Sequence, residues 1–259
     1  MGRAYFLTLQ FDGTDFCGWQ RQREGRSVQG EVERVLGRLT GGPVKAVAAG
    51  RTDAGVHAAG MPVSVTVPPR WSAAELLRAM NALLPDAIAV RSVRAVRPGS
   101  DARRSASGRR YRYDIGTDGS CRSPFRRRTE WPLGRALSLG ALERAASVLP
   151  GEHDFRAFAV VGEPKPHYRC RVSEATWREI EPGRIRFTIA ADRFLHHMVR
   201  FLVGTMVDVG LGRREEGDMA TLLTRTDNSD TSPPAPASGL TFVSAWYPDD
   251  IWLDEEATW

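Results

Sequence analysis

Residues 5–13, YFLTLQFDG, decide how this chain is read. Tyr5, Leu7, Leu9 and Phe11 recur at a period of two, the mark of a strand with one buried face, and Asp12-Gly13 then turns the chain. The same design opens the second half, where a strand over Arg110–Ile115 runs into Thr117-Asp118-Gly119. Between the two openings, Ser27 caps a helix whose apolar face is Val28, Val32, Val35, Leu36 and Leu39. A short strand over 43–49 stops at Gly50, and Met61–Val67 alternates up to Pro68-Pro69. Ser72 and Glu75 then form a capping box for a helix carrying Leu76, Leu77, Met80, Leu83 and Leu84. Ala87–Val96 reads as a further strand.

The second half follows a similar plan. Leu139–Leu149 is helical, and strands over 172–180 and 184–191 flank the hairpin turn Pro182-Gly183. Phe194–Val209 is an apolar, central helix, and Leu240–Trp246 is a last strand. Residues 226–239 form a polar, proline-rich loop, and the chain after Pro248 reads as a loose acidic tail. Each half therefore has about four strands and two helices, the pattern of two related α/β lobes.

Composition narrows the class of function. The 259 residues, 42% apolar and 26% charged, suit a globular chain of one large or two small domains. The net charge of +5 is unevenly spread. Nine arginines fall between Arg103 and Arg128 against two acids, Asp114 and Asp118, while Asp249, Asp250, Asp254, Glu255 and Glu256 end the chain. A concentrated basic segment fits a polyanion, or equally a solvated face in an arginine-biased chain with only Lys45 and Lys165 as lysines. Three cysteines without metal or redox spacing point to a reducing compartment. No stretch approaches a membrane span, and the N-terminus reads as a strand rather than a signal peptide. The cytoplasm is the expected setting.

The densest chemical signal is AAGRTDAGVHA, residues 48–58. Gly50 and Gly55 bracket Arg51-Thr52-Asp53 at the end of a strand, where a tight turn admits close approach by a ligand. Arg51 stands near enough in sequence to hold the Asp53 carboxylate ionised. The spacing matches neither a phosphate loop nor a dinucleotide fingerprint, and there is no serine elbow. By itself the segment also reads as a plain turn with a surface ion pair.

Seven segments in order resolve that ambiguity: FDGTDFCGWQRQ (11–22), SVQGEVE (27–33), AGRTDAGVHA (49–58), RRYRY (109–113), GEHDFRAF (151–158), FLHHMVRFLVGTM (194–206) and PAPASGL (234–240). Together they resemble the TruA type of tRNA pseudouridine synthase over residues 4–248. The resemblance implies an α+β fold of two similar ferredoxin-like (RRM-like) α/β lobes. These would share a mixed, mostly antiparallel sheet with the active-site cleft between them. On that reading residues 1–100 form an N-terminal lobe carrying the catalytic loop, 101–248 a C-terminal lobe, and 249–259 the acidic tail.

The resemblance also implies an isomerase, an intramolecular transferase that converts uridine to pseudouridine at positions 38, 39 and 40 in the anticodon arm of tRNA. It implies a homodimer using no cofactor and no metal. Asp53 is the implied catalytic carboxylate. Arg51 is implied to contact RNA beside the extracted nucleotide, Tyr111 to pack on the target uracil, and Arg200 to pair with the aspartate. Arg103, Arg104, Arg109 and Arg110 are the expected phosphate contacts, and Trp19 and Gln20 are expected to shape the site or its rim. Tyr113, His57 and His197 read as structural. Two departures from the family pattern, Ser100 ahead of Asp101-Ala102-Arg103 and PHYRCRV at 166–172, bear on the RNA footprint rather than on the chemistry.

Overall fold

The alternation at the N-terminus becomes β1 (Arg3–Phe11), with Tyr5, Leu7 and Leu9 wholly buried and Phe11 nearly so. The computed structural model describes residues 2–160 and 167–259. Pro166, the first residue of the departing stretch at 166–172, lies outside the described residues. The chain divides into two units, Met1–Ser107 with Phe242–Trp259, and Gly108–Thr241. Both are mixed α+β.

In the first unit the expected helices form with their caps. Helix α1 (Val28–Thr40) starts where the Ser27 hydroxyl accepts the Gly30 N–H, and it ends at Gly41, which adopts φ 78°. The strand expected over 43–49 is only β2 (Val47–Ala48), beside β3 (His57–Val67). Helix α2 (Ala73–Leu83) has the full capping box: the Ser72 hydroxyl accepts the Glu75 N–H, and the Glu75 carboxylate accepts the Ser72 N–H. Strand β4 (Ile88–Val96) follows, and β1 runs antiparallel to both β3 and β4.

The second unit opens with β5 (Gly108–Gly116), whose end pairs in parallel with β6 (Trp131–Pro132). After α3 (Leu139–Ala146) come β7 (Gly151–Asp154), β8 (Arg169–Glu181) and β9 (Arg184–Ala191). Strand β9 lies antiparallel between β5 and β8, and β8 is flanked by β7. The expected hairpin turns at Gly183 with φ 73°, a backbone state that favours glycine. Helix α4 (Met198–Gly210) packs on this sheet, where Trp177 is 2% exposed and directs its indole N–H at Met206 Sδ. Helix α5 (Asp218–Leu222) completes the unit.

Two expectations are corrected. The helix expected from Phe194 begins only at Met198, because His197 adopts φ 62°. It is the only non-glycine residue with positive φ among the described residues. A left-handed residue cannot continue a right-handed helix, so residues 194–195 are irregular and residues 196–197 form a turn ahead of it. Secondly, the acidic stretch 249–259 is not loose. After β10 (Leu240–Trp246) it forms β11 (Trp252–Thr258), which pairs with β4 and places the sheet of the first unit in the order β11–β4–β1–β3–β10.

The tail orders because its acids meet partners. The Glu255 carboxylate accepts the Ala73 N–H at 2.7 Å and the Tyr5 hydroxyl at 3.3 Å, and it pairs with Arg3 at 3.1 Å. The Arg94 guanidinium lies 4.3 Å over the Trp252 ring. The strand thereby covers the edge of β4, which would otherwise offer unpaired backbone groups.

Because the Ser72 hydroxyl satisfies an otherwise orphaned N–H of α2, Ser72→Ala is expected to lower stability by about 1 kcal/mol. Urea unfolding of the two proteins measures this. An unchanged midpoint would show that the cap does not contribute.

Candidate active site

Asp53 sits on an irregular loop between β2 and β3 that is fastened from several sides. The Ala49 N–H donates to Pro62 O at 2.8 Å at its start. The Val56 N–H donates to the Asp53 carbonyl at 3.2 Å, and Gly55 adopts φ 78°, which closes the turn. Thr52 is buried, Asp53 is part-exposed and Arg51 is exposed. The aspartate side chain therefore stands at the surface of a loop whose backbone is held.

The holding surface is the turn after β1, which carries Trp19 and Gln20, the residues expected to shape the site or its rim. The Trp19 N–H donates to Thr52 O at 3.0 Å, and the Gly55 N–H donates to Phe16 O at 3.4 Å. Gly18 has φ 103°, and a Cβ there would stand 2.6 Å from Thr52 O and 3.1 Å from the Asp53 carbonyl carbon. At Gly13 a Cβ would stand 2.0 Å from Val56 O. Both glycines exist so that one backbone can lie directly on another. Trp19 is 2% exposed and packs beneath this contact, while the Gln20 amide donates to Gln29 Oε1 at 2.7 Å. His57 is buried, with Nδ1 accepting the Gly13 N–H at 3.1 Å. That is the structural role expected of it.

The other proposed side chains belong to the second unit. Tyr111 lies on β5, buried, with its ring edge-on to Phe194 at 4.9 Å. Tyr113, two residues on, is wholly buried and donates its hydroxyl to Pro236 O at 2.7 Å. Burial pushes its phenol well above the ordinary value, and the Arg200 charge opposes this. Tyr113 is therefore a core residue, as expected. Arg200 on α4 is part-exposed, and its Nε donates to Ala235 O at 2.7 Å while the Ala235 N–H donates to the Arg200 carbonyl.

These bonds explain the segment PAPASGL, for which the sequence suggested no role. A Cβ on Gly204 would stand 2.1 Å from the oxygen of Pro233, which precedes the segment, and 3.3 Å from Ala235 N within it, and one on Gly239 would stand 2.5 Å from the Tyr113 ring. The segment lies against α4 and β5, and it braces both Arg200 and the strand that carries Tyr111.

The basic segment proves to be of two kinds. Arg110 pairs with Glu174 at 2.8 Å, and Arg109 Nη1 donates to Asp192 O at 2.9 Å. Burial pulls the Arg112 guanidinium below its ordinary value, with the Asp114 charge opposing. Arg103 and Arg104 are exposed on a turn whose N–H groups both donate to Asp101 Oδ1. Of the four arginines expected at phosphates, Arg109 and Arg110 thus also hold the fold.

Comparison with known proteins agrees with the segment pattern. The family model for tRNA pseudouridine synthase matches residues 145–248. A tRNA pseudouridine synthase A from Moorella thermoacetica is 41% identical over 238 residues, which cover 90% of this chain and 95% of that protein. The protein of that name from Thermus thermophilus is 42% identical over 252 residues, 96% of this chain and 98% of its own length. The one from Corynebacterium glutamicum is 39% identical over 269 residues, 97% of this chain and 91% of its own length.

Two outcomes follow from this geometry. Gly18→Ala must push the Thr52–Asp53 backbone away, and displacements of ~1 Å at a reacting group cost about 100-fold in rate. Turnover is expected to fall by about that factor while the circular dichroism spectrum is kept, and wild-type turnover would refute the contact's importance. Tyr113 keeps its proton in the folded chain, so its stabilisation is present below the ordinary phenol value near pH ~10 and is lost as pH rises above it. Tyr113→Phe is expected to cost ~0.5–1.5 kcal/mol at neutral pH. It should also flatten the alkaline fall in stability, as read by urea unfolding from pH 8 to 11.

Proposed function

This chain belongs to the tRNA pseudouridine synthase family, an isomerase acting on tRNA, and from that premise we propose that it forms pseudouridine at positions 38, 39 and 40 of the anticodon arm with Asp53 as the essential carboxylate. The observation that carries the reading is the Asp53 loop. A part-exposed carboxylate stands on a backbone held by hydrogen bonds from Trp19, Val56 and Gly55. Such pre-positioning is what a group reacting with a sugar needs.

The reaction breaks the bond from ribose C1′ to uracil N1, turns the base, and joins C1′ to C5. The C5 proton leaves and N1 gains one, so atoms and electrons balance without an oxidant or a cofactor. The carboxylate either attacks C1′ or takes the C2′ proton, and both routes require it ionised. Arg200 serves as its cationic partner and stays charged throughout. Tyr111 packs on the uracil. Arg51 contacts the strand from which the nucleotide is everted, a step that costs a few kcal/mol of stacking. Arg103 and Arg104 engage phosphates, with Arg109 and Arg110 beside them.

We read each unit as a ferredoxin-like lobe. The strand order β4–β1–β3, with helices following β1 and β3, supports this in the first unit. The enzyme acts as a homodimer in the cytoplasm. Cys121 and Cys170 are buried and Cys17 is part-exposed, and none has metal or redox spacing, in keeping with a reducing setting. Among the described residues no helix is long and apolar enough to cross a membrane.

Incubation with an unmodified tRNA transcript followed by base-resolution mapping tests the proposal. Pseudouridine is expected at 38–40. Asp53→Asn should lower its formation by more than the ~10²–10⁴-fold that a positioned acid, base or nucleophile contributes, with tRNA still bound. Product elsewhere in the tRNA, or full turnover by the Asn variant, would overturn it.

A further inference from the structure

Phe125 is 94% exposed, the most exposed large apolar side chain among the described residues. It lies at the tip of the turn Ser123–Arg127 in the second unit, within CRSPFRRRTE. A ring left in water contributes nothing to the core and is accessible to a partner. What distinguishes this one from a stray apolar side chain is the built turn and the basic residues beside it.

The turn beneath it is firmly built. The Phe125 N–H donates to Ser123 Oγ at 3.3 Å, and the Arg126 and Arg127 N–H groups both donate to Ser123 O at 3.0 Å. Arg126 turns inward to Glu130, whose side chain is fully buried, with Nε 3.0 Å from Oε1 and Nη2 3.2 Å from Oε2. Arg184 Nε reaches the same carboxylate at 3.1 Å. Gly116 makes room for it, since a Cβ there would stand 2.6 Å from Glu130 Oε1. One arginine of the turn is therefore spent on anchoring, while Arg122, Arg127 and Arg128, its neighbours in sequence, stay exposed.

An exposed aromatic ring in a stretch that also exposes three arginines suits an unstacked base with its flanking phosphates. A second copy docking through this same patch would set arginine against arginine across a two-fold axis. We propose that Phe125 stacks on an unpaired base of the tRNA substrate, with Arg122 and Arg127 on adjacent phosphates. This rests on the chain acting on tRNA, and it adds a contact remote in sequence from Asp53.

Fluorescence anisotropy with unmodified tRNA, at several salt concentrations, tests the contact. Phe125→Ala is expected to weaken binding by roughly 5- to 100-fold, the range that alanine substitution of a stacking ring gives. KM should rise with kcat retained, because the contact is uniform binding. Phe125→Trp should bind as the wild type does, and Phe125→Leu should bind as poorly as Phe125→Ala. The slope of log affinity against log salt should stay unchanged in Phe125→Ala and drop by about one unit in Arg127→Ala. Unaltered affinity in Phe125→Ala overturns the inference, as does full rescue by Leu. So does a loss of affinity that follows a shift from dimer to monomer in sedimentation, which would assign the ring to a second copy. Each result is read beside pseudouridine formation by the wild type, so failure of the stacking contact is distinct from failure of the proposed activity.

Discussion

A carbonyl oxygen against a bare α-carbon is the contact on which the shape of the Asp53 loop depends. Thr52 O stands where a side chain at Gly18 would begin, and the N–H of the next residue, Trp19, bonds that same oxygen. Any Cβ would separate the two loops and carry Asp53 with them. The turn after β1 is thus a template for the Asp53 loop. Its glycines are fixed by that requirement, and its buried Trp19 and Phe16 by the need to make the template stiff. Loops usually carry function because a rigid scaffold positions them; here part of the scaffold is itself a loop, made rigid by backbone-to-backbone bonding.

The second unit applies the same logic with different parts. Arg200 is an ionic group on a helix that is otherwise mostly buried, and Ala235 O accepts its Nε–H. That bond takes up one donor and fixes the plane of the guanidinium. The segment that provides it also receives the Tyr113 hydroxyl and lies within contact of the Tyr113 ring at Gly239. A polar, proline-rich stretch with almost no regular structure therefore orients the arginine and braces β5 together. Proline suits position 236, because Pro236 accepts the Tyr113 hydroxyl through its carbonyl oxygen and needs no N–H.

Periodicity and local chemistry explain what was legible beforehand. The strands at β1, β3, β4, β8, β9 and β10 and the caps at Ser27 and Ser72 are encoded within a few residues, and they read correctly. Tyr113 as a core or supporting residue is legible too, although only its bond to Pro236 explains why that ring is spent on the core. What escaped the reading is non-local. His197 breaks an apolar helical pattern because residues 194–196 are held elsewhere, with Val160 donating to the His196 carbonyl. The acidic end becomes a strand only because β4 offers an edge and Arg3, Arg94 and Tyr5 offer partners. Glycine in GWQ is visible in sequence, but a requirement for glycine becomes visible only when the opposing carbonyl is known.

Charge was the least readable feature, for a physical reason. Nine arginines in 26 residues look like one surface, yet guanidinium serves equally as a ligand for phosphate and as a buried fork for carboxylate. Asp114 is 2% exposed and is gripped by Arg186 at 2.6 and 2.8 Å and by Arg184 at 3.1 Å, and Arg184 and Arg126 share the buried Glu130. Buried pairs of this kind add little net stability over an apolar core, but removing one partner strands a charge. Their effect is to set geometry, here that of the end of β5 and the turn that follows it. Net charge therefore overstates the basic surface available to RNA. The arginines that can reach it are those that no acid has drawn inward, and sequence alone does not separate the two kinds.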